Sequence, residues 1–409
     1  MSTTIDSADL AEPTTTRSPR YVGLALIALA MGGFAIGTTE FVSMGLLPQL
    51  ANGVDVSIPT AGHVISAYAL GVVVGAPLLA VFGARLPRRE LLIGLMLVFL
   101  VGNAASALAT SYTSLTLARF FSGLPHGAYF GVASLVAADL VVAERRGRAV
   151  SGVMLGLAVS NVAGVPAATW LGQNAGWRSA YWLVAALAAV TAGLVLWLVP
   201  HVAANREATG RNELRAFKNP QVLLTLLVGA VGFGGMFAMY TYIAPTVTQV
   251  AGLDDSLVPL YLLAFGSGMV VGTPLGGRLA DWSVFRSMLV GSVLMGLILV
   301  LFTVTSQWFI PGLLTVFALS TCSSVLVVGL QMRLMQVAGD AQTIGAAMNH
   351  ASLNIANALG AWLGGVVVAA GFGYRAPSWV GAALSLAGLL VLVASALLHR
   401  RTTRVPVPA

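Results

Sequence analysis

Apolar stretches long enough to cross a membrane recur twelve times in this 409-residue chain, and no other feature restricts its fold as strongly. A helix needs about 20 predominantly apolar residues to span the hydrocarbon core of a bilayer. Hydrophobic residues make up 57% of the chain and charged residues 9%, whereas soluble domains carry about 25% charged residues. The sequence therefore predicts an all-α membrane protein. Its twelve transmembrane helices are expected near residues 21–47, 60–83, 91–110, 114–141, 149–171, 180–199, 222–249, 258–280, 288–305, 309–332, 343–370 and 378–398.

A single long polar stretch, HVAANREATGRNELRAFKNPQ, divides these spans into two groups of six. We therefore expect an N-terminal six-helix half at 20–200, a cytoplasmic linker at 201–221 and a C-terminal half at 222–399. The polar ends predict a disordered tail at 1–19 and a short cytoplasmic tail at 400–409. The first apolar run is too long for a signal-peptide core and should remain as the first helix.

The two halves also repeat each other in sequence. A shift of 197 residues places residues 71–97 over residues 268–294 without a gap, and ten of these 27 positions are identical. A repeat of this size indicates duplicated halves. Parallel halves with a binding site between them are a known transporter plan.

The basic residues predict the orientation in the membrane. If the N-terminus lies in the cytoplasm, 18 of the 21 Lys and Arg residues fall on the cytoplasmic side, and only Arg119, Arg178 and Arg375 do not. Such an excess predicts a multi-pass protein of the cell membrane with both termini in the cytoplasm. The net charge of +7 therefore indicates no nucleic-acid partner, because its cations lie in short loops. The single cysteine, Cys322, lies in an apolar span, and we expect no metal or cofactor.

Four stretches carry a family resemblance: TTEFVSMGLLP in the first span, GARLPRRE after the second with its duplicate GGRLADWSVFR, LARFFSGLPHG in the fourth and GLAVSNVAGVP in the fifth. They resemble the drug–proton antiporter branch of the major facilitator superfamily, which holds arabinose-, nucleoside- and chloramphenicol-efflux transporters. The chain has Ala84 where the family's loop motif has an acid, and Val165 separates a glycine and a proline that the family places together. The resemblance implies the major facilitator fold and a set of residues that gate the conformational change: Gly164, Pro166, Arg85, Arg88, Arg89 and Asp281.

Glu40 lies in the middle of the first span, where a charge costs roughly 2.5–3.5 kcal/mol on insertion scales. It should therefore face the interior of the bundle and have a partner. Arg119 lies at a similar depth in the fourth span, and in the resembled fold these two helices are neighbours that line the central cavity. Glu40 and Arg119 are thus expected to pair and to couple transport to protons. A fixed salt bridge between two helices is the alternative.

Polar and aromatic side chains in two other spans indicate a substrate pathway. Phe237 and Tyr240 share a face of the seventh span, while His350, Asn354 and Asn357 share a face of the eleventh, beside Asn349. Amides and an imidazole are costly in lipid unless they meet partners or water. An aromatic stripe can equally belong to the core, and His126 and Asp139 are expected to be structural.

Together these features predict a secondary active transporter, acting as a monomer in the lipid bilayer, that exports a small molecule in exchange for protons. A drug such as chloramphenicol, a sugar or a nucleoside would fit as its substrate. A proton-coupled uptake symporter on the same scaffold is the first alternative. A membrane enzyme would need converging nucleophiles or metal ligands, and a sensor would usually add a soluble domain. We therefore expect neither an enzyme nor a sensor.

Overall fold

The computed structural model describes residues 19–83, 86–142, 145–201, 219–337 and 342–403. All regular elements in this described part are helical, and they form twelve crossings, which we label α1 to α12. The first half contains α1 (Pro19–Gly45), α2 (Ile58–Gly83), α3 (Arg88–Leu108), α4 (Tyr112–Gly123 and Pro125–Asp139), α5 (Arg146–Val159, Ser160–Gly164 and Val165–Ala175) and α6 (Trp177–Leu198). The second half contains α7 (Pro220–Leu227, Val228–Gly232, Gly234–Thr241, Ile243–Pro245 and Thr246–Val250), α8 (Val258–Trp282), α9 (Val284–Thr305), α10 (Phe309–Val337), α11 (Gln342–Val367 and Val368–Phe372) and α12 (Ala376–Thr403).

The predicted fold class is confirmed. Within the described ranges, eleven helices are long and apolar enough to cross a membrane. The twelfth crossing is α4, which is divided at Leu124 because Pro125 carries no backbone N–H and interrupts the hydrogen-bond ladder. Most of the predicted linker, 201–221, and of the predicted tail, 1–19, lies outside the described residues. At the other end of the chain, α12 continues to Thr403 and so enters the predicted tail at 400–409.

In the part of the chain that the structure describes, three crossings contain π-helical turns, and in α5 the cause is local. The turn Ser160–Gly164 directly precedes Pro166, which lies in the second position of the following helical segment. Within this turn the N–H of Val165 donates to the carbonyl of Ser160, five residues back. A π turn of this kind absorbs the bond that the proline cannot make.

Small residues allow the two halves to pack closely along α5 and α8. A Cβ atom added to Gly266 of α8 would lie 2.2 Å from the carbonyl oxygen of Asn161 in α5, so only glycine fits at this crossing. On the other side of the bundle α2 packs against α11, where the hydroxyl of Ser66 donates to the carbonyl of Ala358 over 3.1 Å. These two contacts join the halves on either side of the central region.

We call the end of the bundle at which α1 begins the terminal end, and the opposite end the distal end. Polar contacts close the distal end between the halves: Gln49, beyond α1, donates to the carboxylate of Asp255 over 3.5 Å, and Gln173 of α5 donates to the carbonyl of Asp255 over 2.7 Å. At the terminal end, Arg88 of α3 forms an ion pair with Asp139 of α4 within the first half. Asp139 thus anchors the loop end of α4, in agreement with its expected structural role.

Candidate functional site

Arg119 lies at the centre of a polar cluster in the first half and is completely buried. Its Nη1 donates to the hydroxyl of Thr39 over 2.8 Å, and its Nη2 donates to the carbonyl of the same residue over 3.0 Å. The guanidinium also lies 4.3 Å above the ring of Tyr68, a distance at which a cation is attracted to the ring face. Arg119 is therefore held by α1 and α2 together.

Glu40, the residue after Thr39, is the acidic member of the cluster. It is 7% exposed, and its carboxyl group lies near enough to Arg119 for an electrostatic interaction between α1 and α4. Both residues are described, and no ion pair within 4.0 Å joins them. The expected direct pair is thus absent from this arrangement, because the donors of Arg119 that face α1 are taken by Thr39.

Further hydrogen bonds fix the side chains around Arg119. The hydroxyl of Thr39 donates to the amide oxygen of Asn103 in α3 over 2.6 Å, and the amide nitrogen of Asn103 donates to the carbonyl of Phe99 over 2.8 Å. On α6, the hydroxyl of Tyr181 lies 2.8 Å from that of Ser43, and its ring is 5.2 Å from the guanidinium carbon. Four helices thus position one arginine, while the carboxylate of its acidic neighbour remains without a hydrogen bond among the described residues.

An aromatic cluster joins the two halves directly beside Glu40. The ring of Phe41 is stacked 6.3 Å from Phe237 and lies 5.9 Å from Tyr240 and 6.3 Å from Phe265, all three in the second half. Tyr240 and Phe265 are themselves stacked at 3.9 Å. The structure therefore brings Phe237 and Tyr240, two of the predicted pathway residues, against the neighbour of the acidic residue.

The predicted amide stripe on α11 is buried and only partly bonded within the protein. Asn349 donates to the amide oxygen of Gln331 over 2.7 Å, and Asn354 donates to the carbonyl of His350 over 3.0 Å. The oxygens of both amides lack a partner among the described residues, as do both amide atoms of Asn357 and the hydroxyl of Tyr240. Buried polar atoms without protein partners are suited to bind a ligand or water.

His350 lies nearer the terminal end and makes a different contact. Its ring is stacked on Phe130 of α4, with centroids 5.7 Å apart and an interplanar angle of 3°. Phe130 in turn lies 5.4 Å from His126, whose Nδ1 is 3.0 Å from the hydroxyl of Tyr68. The contact therefore connects α11 to the polar cluster around Arg119.

The residues expected to gate the transporter lie in three places. Gly164 packs against α1, where a Cβ atom would lie 2.3 Å from the hydroxyl of Thr38, and Pro166 follows the π turn. Arg89 donates to the carbonyl of Leu196 at the terminal end, where Arg88 pairs with Asp139. Asp281 is exposed near the end of α8, and Arg85 lies outside the described residues.

Arg119 is joined by a second cation that is buried within a crossing. α10 continues to Val337, five residues beyond its predicted end, and thereby includes Arg333, which is 6% exposed. Arg333 donates to the amide oxygen of Gln221 over 3.0 Å and lies over the ring of Phe285 at 4.4 Å. These contacts hold Arg333 at the terminal end, away from the polar cluster, although its Nε has no hydrogen-bond partner among the described residues.

Sequence reasoning did not single out Thr39, Tyr68, Asn103 or Phe265 as functional residues. Their side chains are common in membrane helices, and only the rotation of each helix shows that they face Arg119 or Phe41. For Tyr68 the sequence held one weak indication of a polar contact: an aromatic residue inside an apolar span carries a hydroxyl that needs a hydrogen-bond partner when it is buried.

A buried charged cluster between neighbouring helices, beside an aromatic contact between two six-helix halves, is an arrangement typical of membrane transporters. The family model of the Major Facilitator Superfamily matches residues 29–349. The chain belongs to this superfamily. It is therefore a multi-pass membrane transporter that acts on small molecules, and not an enzyme.

Known proteins share its sequence over nearly the whole length. The chain is 40% identical over 378 residues to the inner membrane transport protein YdhP of Escherichia coli K12, covering 92% of this chain and 96% of that protein. It is 35% identical over 372 residues to the chloramphenicol resistance protein of Streptomyces lividans, covering 90% and 95%. The fold is similar to the crystal structure of a D-xylose–proton symporter, with a TM-score of 0.72 at 16% identity over 91% and 97% of the two chains.

Proposed function

We propose that this protein exports a small molecule across the cell membrane in exchange for protons. The observation that carries the proposal is Glu40, a buried carboxyl group that interacts with Arg119 electrostatically and has no hydrogen-bond partner among the described residues. A neutral carboxyl avoids the cost of a buried charge, while the nearby cation favours its ionisation once water enters. A group in this position can gain and lose a proton as the halves move.

The same site offers contacts for a substrate. We assign the pathway to Phe237, Tyr240, Asn349, His350, Asn354 and Asn357. A solute that enters between the halves has to part Phe41 from Phe237 and Tyr240, which exposes the neighbouring Glu40 to water. Binding of substrate and binding of a proton should therefore compete, and the unpartnered amide and phenol groups would then bond the solute.

Export is favoured over uptake by the relative from Streptomyces lividans, whose name is that of a resistance protein. Chloramphenicol, which has an aromatic ring as well as hydroxyl and amide groups, is therefore the first compound to test, followed by a sugar and a nucleoside. The excess of cations at one end supports an orientation with the termini in the cytoplasm. Uptake symport on the same fold is the rival function.

The decisive experiment measures proton release when chloramphenicol, arabinose or a nucleoside is added to the purified protein in weakly buffered solution. The wild-type protein should release protons on binding its substrate. Glu40→Gln mimics the protonated carboxyl, so it should insert and fold but release none. Glu90→Gln is the matched control, because Glu90 is exposed and paired with His201 at the terminal end.

Two results would contradict the proposal. If Glu40→Gln releases as many protons as the wild type, Glu40 is only a structural neighbour of Arg119. If inverted membrane vesicles with an acidic interior fail to accumulate the substrate, while right-side-out vesicles take it up with protons, the protein is a symporter.

A further inference from the structure

His126 lies two helical turns beyond Arg119 on α4, toward the terminal end, and it is 1% exposed. Its Nδ1 lies 3.0 Å from the hydroxyl of Tyr68, and the ring of the same tyrosine lies under the guanidinium of Arg119. A neutral imidazole can accept the tyrosine hydrogen at Nδ1, so the observed geometry suits the uncharged form. One tyrosine thus touches both the fixed cation and a second group able to become a cation.

The second half meets His126 through two ring contacts. Phe130 lies 5.4 Å from His126 on the same helix, and His350 of α11 is stacked on Phe130 at 5.7 Å. Phe130 thus lies between the two imidazoles, and the ring contacts join His126 to the second half. Because α4 and α11 belong to different halves, this is a contact across the moving interface.

We propose that His126 binds a proton during the transport cycle, and that the cost of burying its positive charge then opens the contact between α4 and α11 that Phe130 and His350 form. The role in transport rests on the proton coupling proposed above. A buried imidazolium in this place would share Tyr68 with a second cation, Arg119, and would face the rings of Phe130 and His350 on the side of the second half. Separation of the halves at the terminal end would admit water and relieve the desolvation.

Among the described residues around His126, no carboxylate contacts the imidazole to neutralise the added charge. The facing titratable groups are Tyr68 on α2 and His350 on α11, while Arg119 on α4 and Glu40 on α1 both interact with Tyr68. Tyr129 on α4 donates instead to the carbonyl of Leu29 over 2.9 Å. The described charged groups of α3, Arg88, Arg89 and Glu90, lie at its terminal end, and residues 149–159 of α5 contain no titratable side chain.

The direction of the effect agrees with exchange of substrate for protons. In such a cycle the protonated transporter has to open toward the side on which protons are released. If the terminal end faces the cytoplasm, a charged His126 favours that opening. Glu40 would then receive protons nearer the distal end, and His126 would respond nearer the terminal end.

The test measures the distance between two spin labels at the terminal ends by double electron–electron resonance, with the protein in lipid nanodiscs. The pH is varied from about 5 to 8, the range in which histidines titrate. The labels replace Val142, after α4, and Gln336, near the end of α10, both exposed, in a Cys322→Ser background. In the wild type, the longer distance should gain population as the pH falls, by up to about tenfold per pH unit for one proton. His126→Asn keeps a polar group near the position of Nδ1 but cannot become charged, so it should lose this shift.

His63→Asn is the matched control, because His63 lies in α2 near the distal end with its Nδ1 3.2 Å from the hydroxyl of Tyr112. It should keep the full shift. If His126→Asn also keeps the shift, the proposal is wrong, whatever Glu40→Gln shows in the proton-release assay. Should His126→Asn fail to fold, His126→Gln, whose amide likewise cannot become charged, takes its place: a lost shift supports the proposal, and an unchanged shift overturns it.

Discussion

Gly164→Ala tests how closely the π turn of α5 must fit against α1. The added Cβ atom would lie 2.3 Å from the hydroxyl of Thr38 and 2.9 Å from the ring of Phe34. The first distance is about 1 Å less than a normal van der Waals contact. Thr38 cannot rotate away freely, because its hydroxyl donates to the carbonyl of Phe34 over 2.8 Å. One methyl group therefore has to move a helix or break a hydrogen bond.

The size of the effect follows from these two contacts. Overpacking of one methyl group costs about 1–3 kcal/mol, and the loss of the threonine hydrogen bond costs about 1 kcal/mol. Against this stands a gain of about 0.5–1 kcal/mol for replacing glycine by alanine within a helix. The net destabilisation should therefore be about 1–3 kcal/mol. Gly152→Ala on the same helix adds a methyl group with no atom within 4 Å and should be neutral or slightly stabilising.

Thermal unfolding of the purified variants in one detergent compares these two substitutions. Gly164→Ala should melt below the wild type and Gly152→Ala at or above it. In the bulkier Gly164→Leu, labelling of single cysteines placed at Asn52 and at Val142 should show one end of the pathway preferentially exposed. Equal melting of the two alanine variants would refute the packing argument, and labelling equal to that of the wild type would refute the gating role.

Two further substitutions test the polar groups of the site. Arg119→Ala should abolish transport driven by a pH gradient in proteoliposomes. Arg119→Lys should retain part of this transport, because lysine keeps the charge but not the planar donors that reach Thr39. A wild-type rate in Arg119→Ala would exclude the assigned role. Asn357→Ala should weaken substrate binding by about 1 kcal/mol, roughly fivefold, whereas Asn174→Ala, at an exposed position of α5, should leave affinity unchanged. Equal affinities in a titration of both variants would remove Asn357 from the pathway.

The sequence predicted the crossings well, because the length of an apolar stretch is a local property of the sequence. This length decides whether a helix can span the bilayer. The sequence also predicted that Glu40 and Arg119 lie inside the bundle, since a charge facing lipid would be too costly. The end of α10 was less predictable. Its last turns carry Arg333, and a long helix can continue past its apolar part when a cation finds a partner such as Gln221.

Contacts between helices were beyond the reach of sequence patterns. The spacing of Glu40 and Arg119 suggested that each would meet the other, yet the guanidinium donates to the hydroxyl and the carbonyl of Thr39. Thr39 and Glu40 are consecutive residues, and the rotation of α1 relative to α4 decides which of them donates or accepts a hydrogen bond with Arg119. The same limit applies to Phe265, which could be placed against Phe41 only once α1 and α8 were positioned.

The packing of α5 and the charged site on α1 form one mechanical unit. Thr38 touches Gly164, and the next residue, Thr39, holds Arg119 through both its hydroxyl and its carbonyl. The two residues after it are Glu40 and Phe41, and Phe41 contacts the second half. A shift of α1 against α5 must therefore change the position of the arginine, the access of water to the carboxyl group and the contact between the halves together. Four consecutive residues, 38–41, therefore provide a physical link between the proposed proton binding and the opening of the halves.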